Sequence, residues 1–83
     1  EAIRLKPDLA EAYNNRGLAY ADKGQHDQAI ADFTEAIRLK PDLADAYYNR
    51  GLTYEQKGER AKAQADFERA RKLGYSRPPD LPK

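Results

Sequence analysis

The chain contains no cysteine, which excludes both a disulfide framework and a thiolate metal site. No apolar run approaches the ~20 residues that cross a bilayer as a helix, and no signal-peptide pattern opens the sequence. Net charge is almost absent: 15 Lys and Arg stand against 14 Asp and Glu, leaving +1. Non-specific binding to nucleic acid or to an anionic membrane needs a net basic field, so neither is an expected partner. The groupings that carry catalysis are missing too. No Gly-rich phosphate loop occurs, and no nucleophile, base and orienting group come together. The single histidine, His26, falls at a turn and reads as a solvated side chain, and Asp22 and Asp27 beside it do not make a metal site. Neither a cofactor nor an enzymatic activity is expected. Methionine is also lacking, so the sequence has no initiator residue and begins inside a repeat. It is expected to be a piece of something longer. A single small domain of 83 residues buries only about 60–65% of its unfolded surface, which predicts marginal stability.

What is present is a repeat. The decapeptide at Glu1–Ala10 returns unchanged at Glu35–Ala44, 34 residues on. Ala12-Tyr13 returns as Ala46-Tyr47, Asn15-Arg16-Gly17-Leu18 as Asn49-Arg50-Gly51-Leu52, and Ala31-Asp32-Phe33 as Ala65-Asp66-Phe67. A fixed period of this size denotes stacked supersecondary units rather than one core around one active site.

Each unit reads as two helices. The first is expected over about Ala10–Lys23 and again over Ala44–Lys57, the second over His26–Leu39 and Arg60–Leu73. Asp8 and Asp42, each after a proline, stand where an N-cap is needed, with Glu11 and Asp45 three residues on as capping-box partners. Gly24 and Gly58 supply the left-handed conformation that ends a helix. Counting outward from these glycines predicts which residues lie level in each hairpin. Gly17 falls level with Ala31, one turn from Ala29, and Gly51 lies near Ala63 and Ala65, a small-residue contact that lets the backbones approach. Arg16 falls level with Asp32, and Arg50 with Asp66, predicting one structural ion pair per hairpin. Tyr13, Tyr20 and Phe33, then Tyr47, Tyr54 and Phe67, recur at helical spacing and read as packing residues.

These residues resemble a tetratricopeptide repeat. Its pattern is supplied once by Tyr13, Gly17, Tyr20, Gly24, Ala29, Phe33, Ala36 and Pro41, and again by Tyr47, Gly51, Tyr54, Gly58, Ala63, Phe67 and Ala70. Two departures stand out: Arg16 and Arg50 replace the usual leucine, and Tyr75 replaces the closing proline of the second unit. The resemblance implies an all-α fold of antiparallel helix-turn-helix repeats stacked into a right-handed superhelix, an α-solenoid. It divides the chain into the tail of a preceding second helix (1–9), a first repeat (10–43), a terminal repeat (44–74) and a Pro-rich tail (75–83).

The two ends of the array read differently. Ile30 and Ile37 become Gln64 and Arg71 in the second unit, a polar outer face suited to a terminal repeat. At the other end Ile3 and Leu5 are as apolar as Ile37 and Leu39, so the array is expected to continue upstream. Apolar surface around Ile3, Leu9 and Tyr13 is then left partly uncovered. The tail contains Pro-x-x-Pro without the basic spacing of SH3 ligands and reads as a linker or disordered end.

The resemblance also implies a function: the first helices line a concave groove that binds a peptide or helix of a partner. In this sequence its lining would be Glu11, Asn14, Asn15, Leu18 and Asp22, with Asp45, Tyr48, Asn49, Leu52, Glu55 and Gln56. No lysine or arginine is among them. Four carboxylates would repel the acidic peptide terminus that chaperone-binding relatives hold, so a neutral to basic segment is the expected ligand. Asn15 and Asn49 would bond its backbone, or else bond between helices; Tyr48 would anchor it, or else pack on its own helix. The alternative to a partner-binding scaffold is a self-associating module, a homo-oligomer built through the uncovered N-terminal face.

Overall fold

In a computed structural model of the chain, the backbone is described for residues 2–75 and the side chains for residues 9–75. Four helices follow one another: α1 (Ala2–Asp22), α2 (His26–Leu39), α3 (Ala44–Lys57) and α4 (Arg60–Lys72). Among the described residues there is no strand, and no helix is long and apolar enough to cross a membrane. Helix α1 packs on α2 and α3 on α4, while α2 and α3 share the interface between the two hairpins. The fold is all-α, a stack of helix-turn-helix repeats. Of the Pro-rich tail expected at 75–83, only Tyr75 lies within the described residues, and the side chains of Ile3 and Leu5 lie outside them.

A glycine fixes each of the two hairpin turns and the end of α4. Gly24, Gly58 and Gly74 take φ of 79°, 88° and 94°, the left-handed region where a Cβ would be strained. Each closes a Schellman motif. Gln25 N–H donates to the Tyr20 carbonyl and Gly24 N–H to that of Ala21, at 2.9 and 3.0 Å. Glu59 to Tyr54 with Gly58 to Glu55 repeats the pattern, as does Tyr75 to Ala70 with Gly74 to Arg71.

The caps expected at the helix starts do not form. Helix α3 starts after Leu43, with no side-chain bond to its first turn, and Asp42 sits a position too early in the preceding turn. Helix α1 starts at Ala2 and runs through Pro7 and Asp8, so Asp8 is interior rather than a cap. The same stretch, Ala2–Ala10 in one copy and Ala36–Ala44 in the other, therefore folds in two ways. In the second copy the helix ends at Leu39, Lys40 leaves it (φ −142°, ψ 88°), and Pro41-Asp42 turn the chain back so that α3 packs on α2. In the first copy the helix runs on through Pro7, a proline that lacks an N–H in the helix interior.

The hairpins close over a stripe of α2 made of Ala29, Asp32, Phe33 and Ala36, and its counterpart Ala63, Asp66 and Ala70 on α4. Ala31 and Ala65 are exposed, so they do not face the glycines they are level with. Height along a hairpin does not fix rotation, and each alanine lies a residue off the buried stripe. What meets Gly17 is Phe33: a Cβ there would lie 2.6 Å from the ring. At Gly51 it would lie 2.7 Å from Phe67 and 3.2 Å from the Ala63 carbonyl oxygen. The glycines make room for an aromatic ring.

Candidate functional site

The ion pairs fixing each hairpin form where counting placed them. Arg16 Nε and Nη2 donate to the two Asp32 carboxylate oxygens at 2.8 and 3.0 Å, and Arg50 does the same to Asp66 at 2.8 and 2.9 Å. Two-point bonding of this kind fixes the guanidinium plane. Each plane is also flanked by the tyrosines three residues before and four after it. Arg16 lies 5.5 Å from the Tyr13 centroid and 5.8 Å from that of Tyr20; Arg50 lies 5.7 and 5.8 Å from Tyr47 and Tyr54. The hydrogen bond to Asp32, and then its charge, hold Arg16 protonated well above the ordinary arginine range. Replacing the family's leucine by arginine thus couples the two helices of each hairpin electrostatically.

With the hairpins so fixed, α1 and α3 run side by side and leave a crevice of about 140 Å³ between them. Leu18 and Asp22 of α1 form one wall, Asn49, Leu52 and Gln56 of α3 the other, with Ala21, Thr53 and Phe33 completing it. Five residues expected in the groove are therefore gathered in one place. Phe33 and Thr53 are fully buried and make the floor, the Thr53 hydroxyl donating to the Asn49 carbonyl at 2.9 Å. Leu18 is 42% exposed, an apolar contact open to a ligand. Ala21, Phe33 and Thr53 escaped the sequence reading. Ala21 follows by stepping one turn along α1 from Leu18, whereas Phe33 reads from the sequence as a packing residue and Thr53 carries no sequence signal.

Other expected lining residues are placed differently. Asn14 is buried and accepts a hydrogen bond from Asn49 Nδ2 at 3.1 Å, so this pair bonds between α1 and α3. Asn15 is exposed, as are Glu11, Asp45 and Glu55. Tyr48 is neither an open aromatic nor packed on its own helix alone. Only 9% of it is exposed; its ring tilts against Phe67 of α4 at 5.5 Å and stacks on Tyr75 at 4.6 Å. Tyr75 reaches it because the Schellman turn at Gly74 brings the chain back over the end of α4. Tyr48 is thus withdrawn from the groove surface.

A second hollow, of about 220 Å³, lies on the opposite edge of α1 and is lined by Leu9, Ala12, Tyr13 and Arg16. Leu9 is 46% exposed, in keeping with the uncovered apolar surface expected around it and Tyr13. Among the described residues no cluster of His, Asp and Glu could hold a metal ion.

Comparison with known proteins places this geometry. A family model described as TPR repeat matches residues 1–24 and 18–58, and one described as Tetratricopeptide repeat matches residues 44–75. Two solved structures, described as the crystal structure of MamA and the crystal structure of MamA protein, are each 41% identical over 77% of the chain, with TM-scores of 0.75 and 0.73. The chain spans 37% and 35% of those two proteins. No curated protein matches it. Repeat, turn glycines, paired helices and these matches agree: the chain belongs to the tetratricopeptide-repeat family.

Proposed function

We propose that the chain is an interaction scaffold that holds an extended or helical segment of a partner protein, neutral to basic in charge, in the crevice between α1 and α3. Repeats of this family generally mediate protein–protein interaction. The observation that carries the finer reading is the crevice itself: Leu18 and Leu52 line it from the two helices over a floor of buried Phe33 and Thr53, together with Asp22, Asn49 and Gln56. Apolar contacts there supply affinity and the polar rim supplies register. Glu11, Asp45 and Glu55 are exposed on the same two helices and add negative potential around it. That field favours Lys or Arg in the ligand and disfavours an acidic terminus.

An unbiased peptide library displayed against the whole chain tests this, with Leu18→Glu as counter-selection. Leu18 is exposed, so its replacement leaves the hairpin core intact. The expected result is a consensus with Lys or Arg beside an apolar anchor, weakened about tenfold or more by Leu18→Glu and by added salt. An acidic consensus, or one indifferent to Leu18→Glu, would overturn the reading.

A further inference from the structure

The outward faces of α2 and α4 differ in charge. On α2 this face carries Gln28, Ala31, Glu35 and Arg38; on α4 the counterparts 34 residues on are Lys62, Ala65, Arg69 and Lys72. Spaced three and four apart, each set forms one stripe along its helix. Gln28 and Ala31 are exposed although α1 and α3 both pack on α2, so this face points away from the stack of repeats. What α2 presents to α3 lies elsewhere: Thr34, which accepts from Arg50 Nη1 at 3.0 Å, has Glu68 as its counterpart. On α2 the stripe holds one anion and one cation, paired with each other as Glu35 and Arg38; on α4 it holds three cations.

Two of those cations extend a column that the repeat already builds. Arg50 is flanked by the rings of Tyr47 and Tyr54. Beyond them, Lys62 Nζ lies 5.5 Å from the Tyr54 centroid and the Arg69 guanidinium 5.9 Å from that of Tyr47. The first repeat has Gln28 and Glu35 at those ends. Asp66 neutralises Arg50, and Glu59 lies 3.1 Å from Lys62. Among the described residues no carboxylate pairs with Arg69 or Lys72. The helix dipole accounts for cations in the last turn of α4 but disfavours Lys62 in its first turn. Ala65, exposed between Lys62 and Arg69, leaves room for a second helix to approach.

We infer that this stripe docks an acidic helix of a partner protein, with carboxylates seven residues apart meeting Lys62 and Arg69 and an apolar residue between them resting on Ala65. The tyrosine rings hold both cations, so docking does not have to order two long side chains from solution. Lys72 adds to the field that attracts such a helix. Its charge is opposite to that of the segment expected in the crevice, and nothing at the stripe depends on what the crevice holds. A second copy of the chain does not supply the helix: among the described side chains, no single helix carries two acidic residues seven apart. A phosphate backbone is disfavoured, because Glu59 and Glu68 interrupt the patch and a net charge of +1 leaves no broad basic field.

The probe is a hydrocarbon-stapled, alanine-based helical peptide with two Glu residues seven apart and a Leu between them. It is titrated into the whole chain by fluorescence anisotropy and mapped by amide chemical shifts. Saturable binding with shifts centred on Lys62–Lys72 is expected. Lys62→Glu with Arg69→Glu weakens it about tenfold or more, and added salt weakens it too. A peptide with Lys in place of both Glu residues restores those shifts in the charge-reversed chain. Lys62 and Arg69 are exposed helical positions, and circular dichroism verifies that the variant keeps its helices. Leu18→Glu leaves this binding unchanged, which separates it from the crevice between α1 and α3. Absence of saturable binding, equal binding of a peptide with Gln in place of both Glu residues, or shifts confined to Leu18 and Leu52 would each overturn the proposal. So would tighter binding of duplex DNA that the charge reversal abolishes, which would give the stripe to a phosphate backbone.

Discussion

Arg16 and Arg50 stand 34 positions apart and grip Asp32 and Asp66 with the same two-point geometry, yet their surroundings differ. The Arg50 side chain is 18% exposed and bonds Thr34, whereas the Arg16 side chain is 60% exposed. Removing a carboxylate therefore leaves a half-buried cation in one hairpin and a hydrated one in the other. Asp66→Ala is expected to cost about 2 kcal/mol, because Arg50 keeps its desolvation penalty and loses its counter-charge. Asp32→Ala is expected to cost less, since water reaches Arg16. Urea denaturation of the two variants reads the difference directly. Equal losses would mean that the cover provided by α2 does not raise the stake of the pair.

The glycines in the first helices give a second prediction. Gly17→Ala would ordinarily gain up to about 1 kcal/mol in helix propensity. Here the new methyl would lie 2.6 Å from the ring of Phe33, which is fully buried and would have to shift from its packing. The net effect is expected to be a loss of about 1–3 kcal/mol. Phe33→Leu in the same chain makes room and should recover part of the loss, a non-additivity that a double-mutant cycle measures. Simple addition of the two single effects would rule out the steric account.

How far the sequence carried the structure depends on how local each feature is. Counting from Gly24 and Gly58 found both Arg–Asp pairs, because a hairpin with a fixed turn leaves little freedom in height along its arms. The same counting failed for Ala31, since rotation about the helix axis is set by which residues form the buried stripe. Identical residues at Ala2–Ala10 and Ala36–Ala44 fold differently, so no local rule could have chosen between helix at Pro7 and turn at Pro41. Packing of α3 on α2 makes that choice. Five of the eight crevice residues, Leu18, Asp22, Asn49, Leu52 and Gln56, were legible only through the family resemblance, which implies that the first helices line a groove. The withdrawal of Tyr48 was not, because it depends on Tyr75 returning over α4 from beyond the repeat.

That return supplies a third prediction. Tyr75 takes the place of the closing proline and stacks on Tyr48 with the rings 23° from parallel. Tyr75→Ala removes an aromatic contact worth about 0.5–1.5 kcal/mol beyond its buried area and uncovers Tyr48. Near-ultraviolet circular dichroism should lose intensity in the tyrosine band while the far-ultraviolet spectrum keeps its helical form. A spectrum and melting temperature unchanged by the substitution would mean that Tyr75 does not hold Tyr48 in solution.

The pH dependence of stability follows from the charges where the two hairpin turns meet. Lys57 Nζ lies 2.7 Å from Asp27 on the first hairpin and 3.4 Å from Glu59. The hydrogen bond from Lys57, then its charge, holds the Asp27 carboxyl below the ordinary carboxylate range. Hydrogen bonds from Lys62, then Lys57, do the same for Glu59. A depressed carboxyl binds fewer protons folded than unfolded, so its contribution is present above the unfolded value of about 4 and is lost as pH falls through the folded value. Lys57 behaves in the opposite sense. Its bond to Asp27 raises it, so its contribution is present below the unfolded lysine value of about 10.4 and is lost as pH rises through the folded one. Lys57→Met should therefore lower the melting temperature at neutral pH and flatten both the acid and the alkaline limbs of its pH profile. Because Asp27 is largely exposed, high salt should narrow the gap between variant and parent. Melting curves recorded across pH at low and high salt decide it: parallel limbs for the two proteins would show that Lys57 does not couple the hairpins.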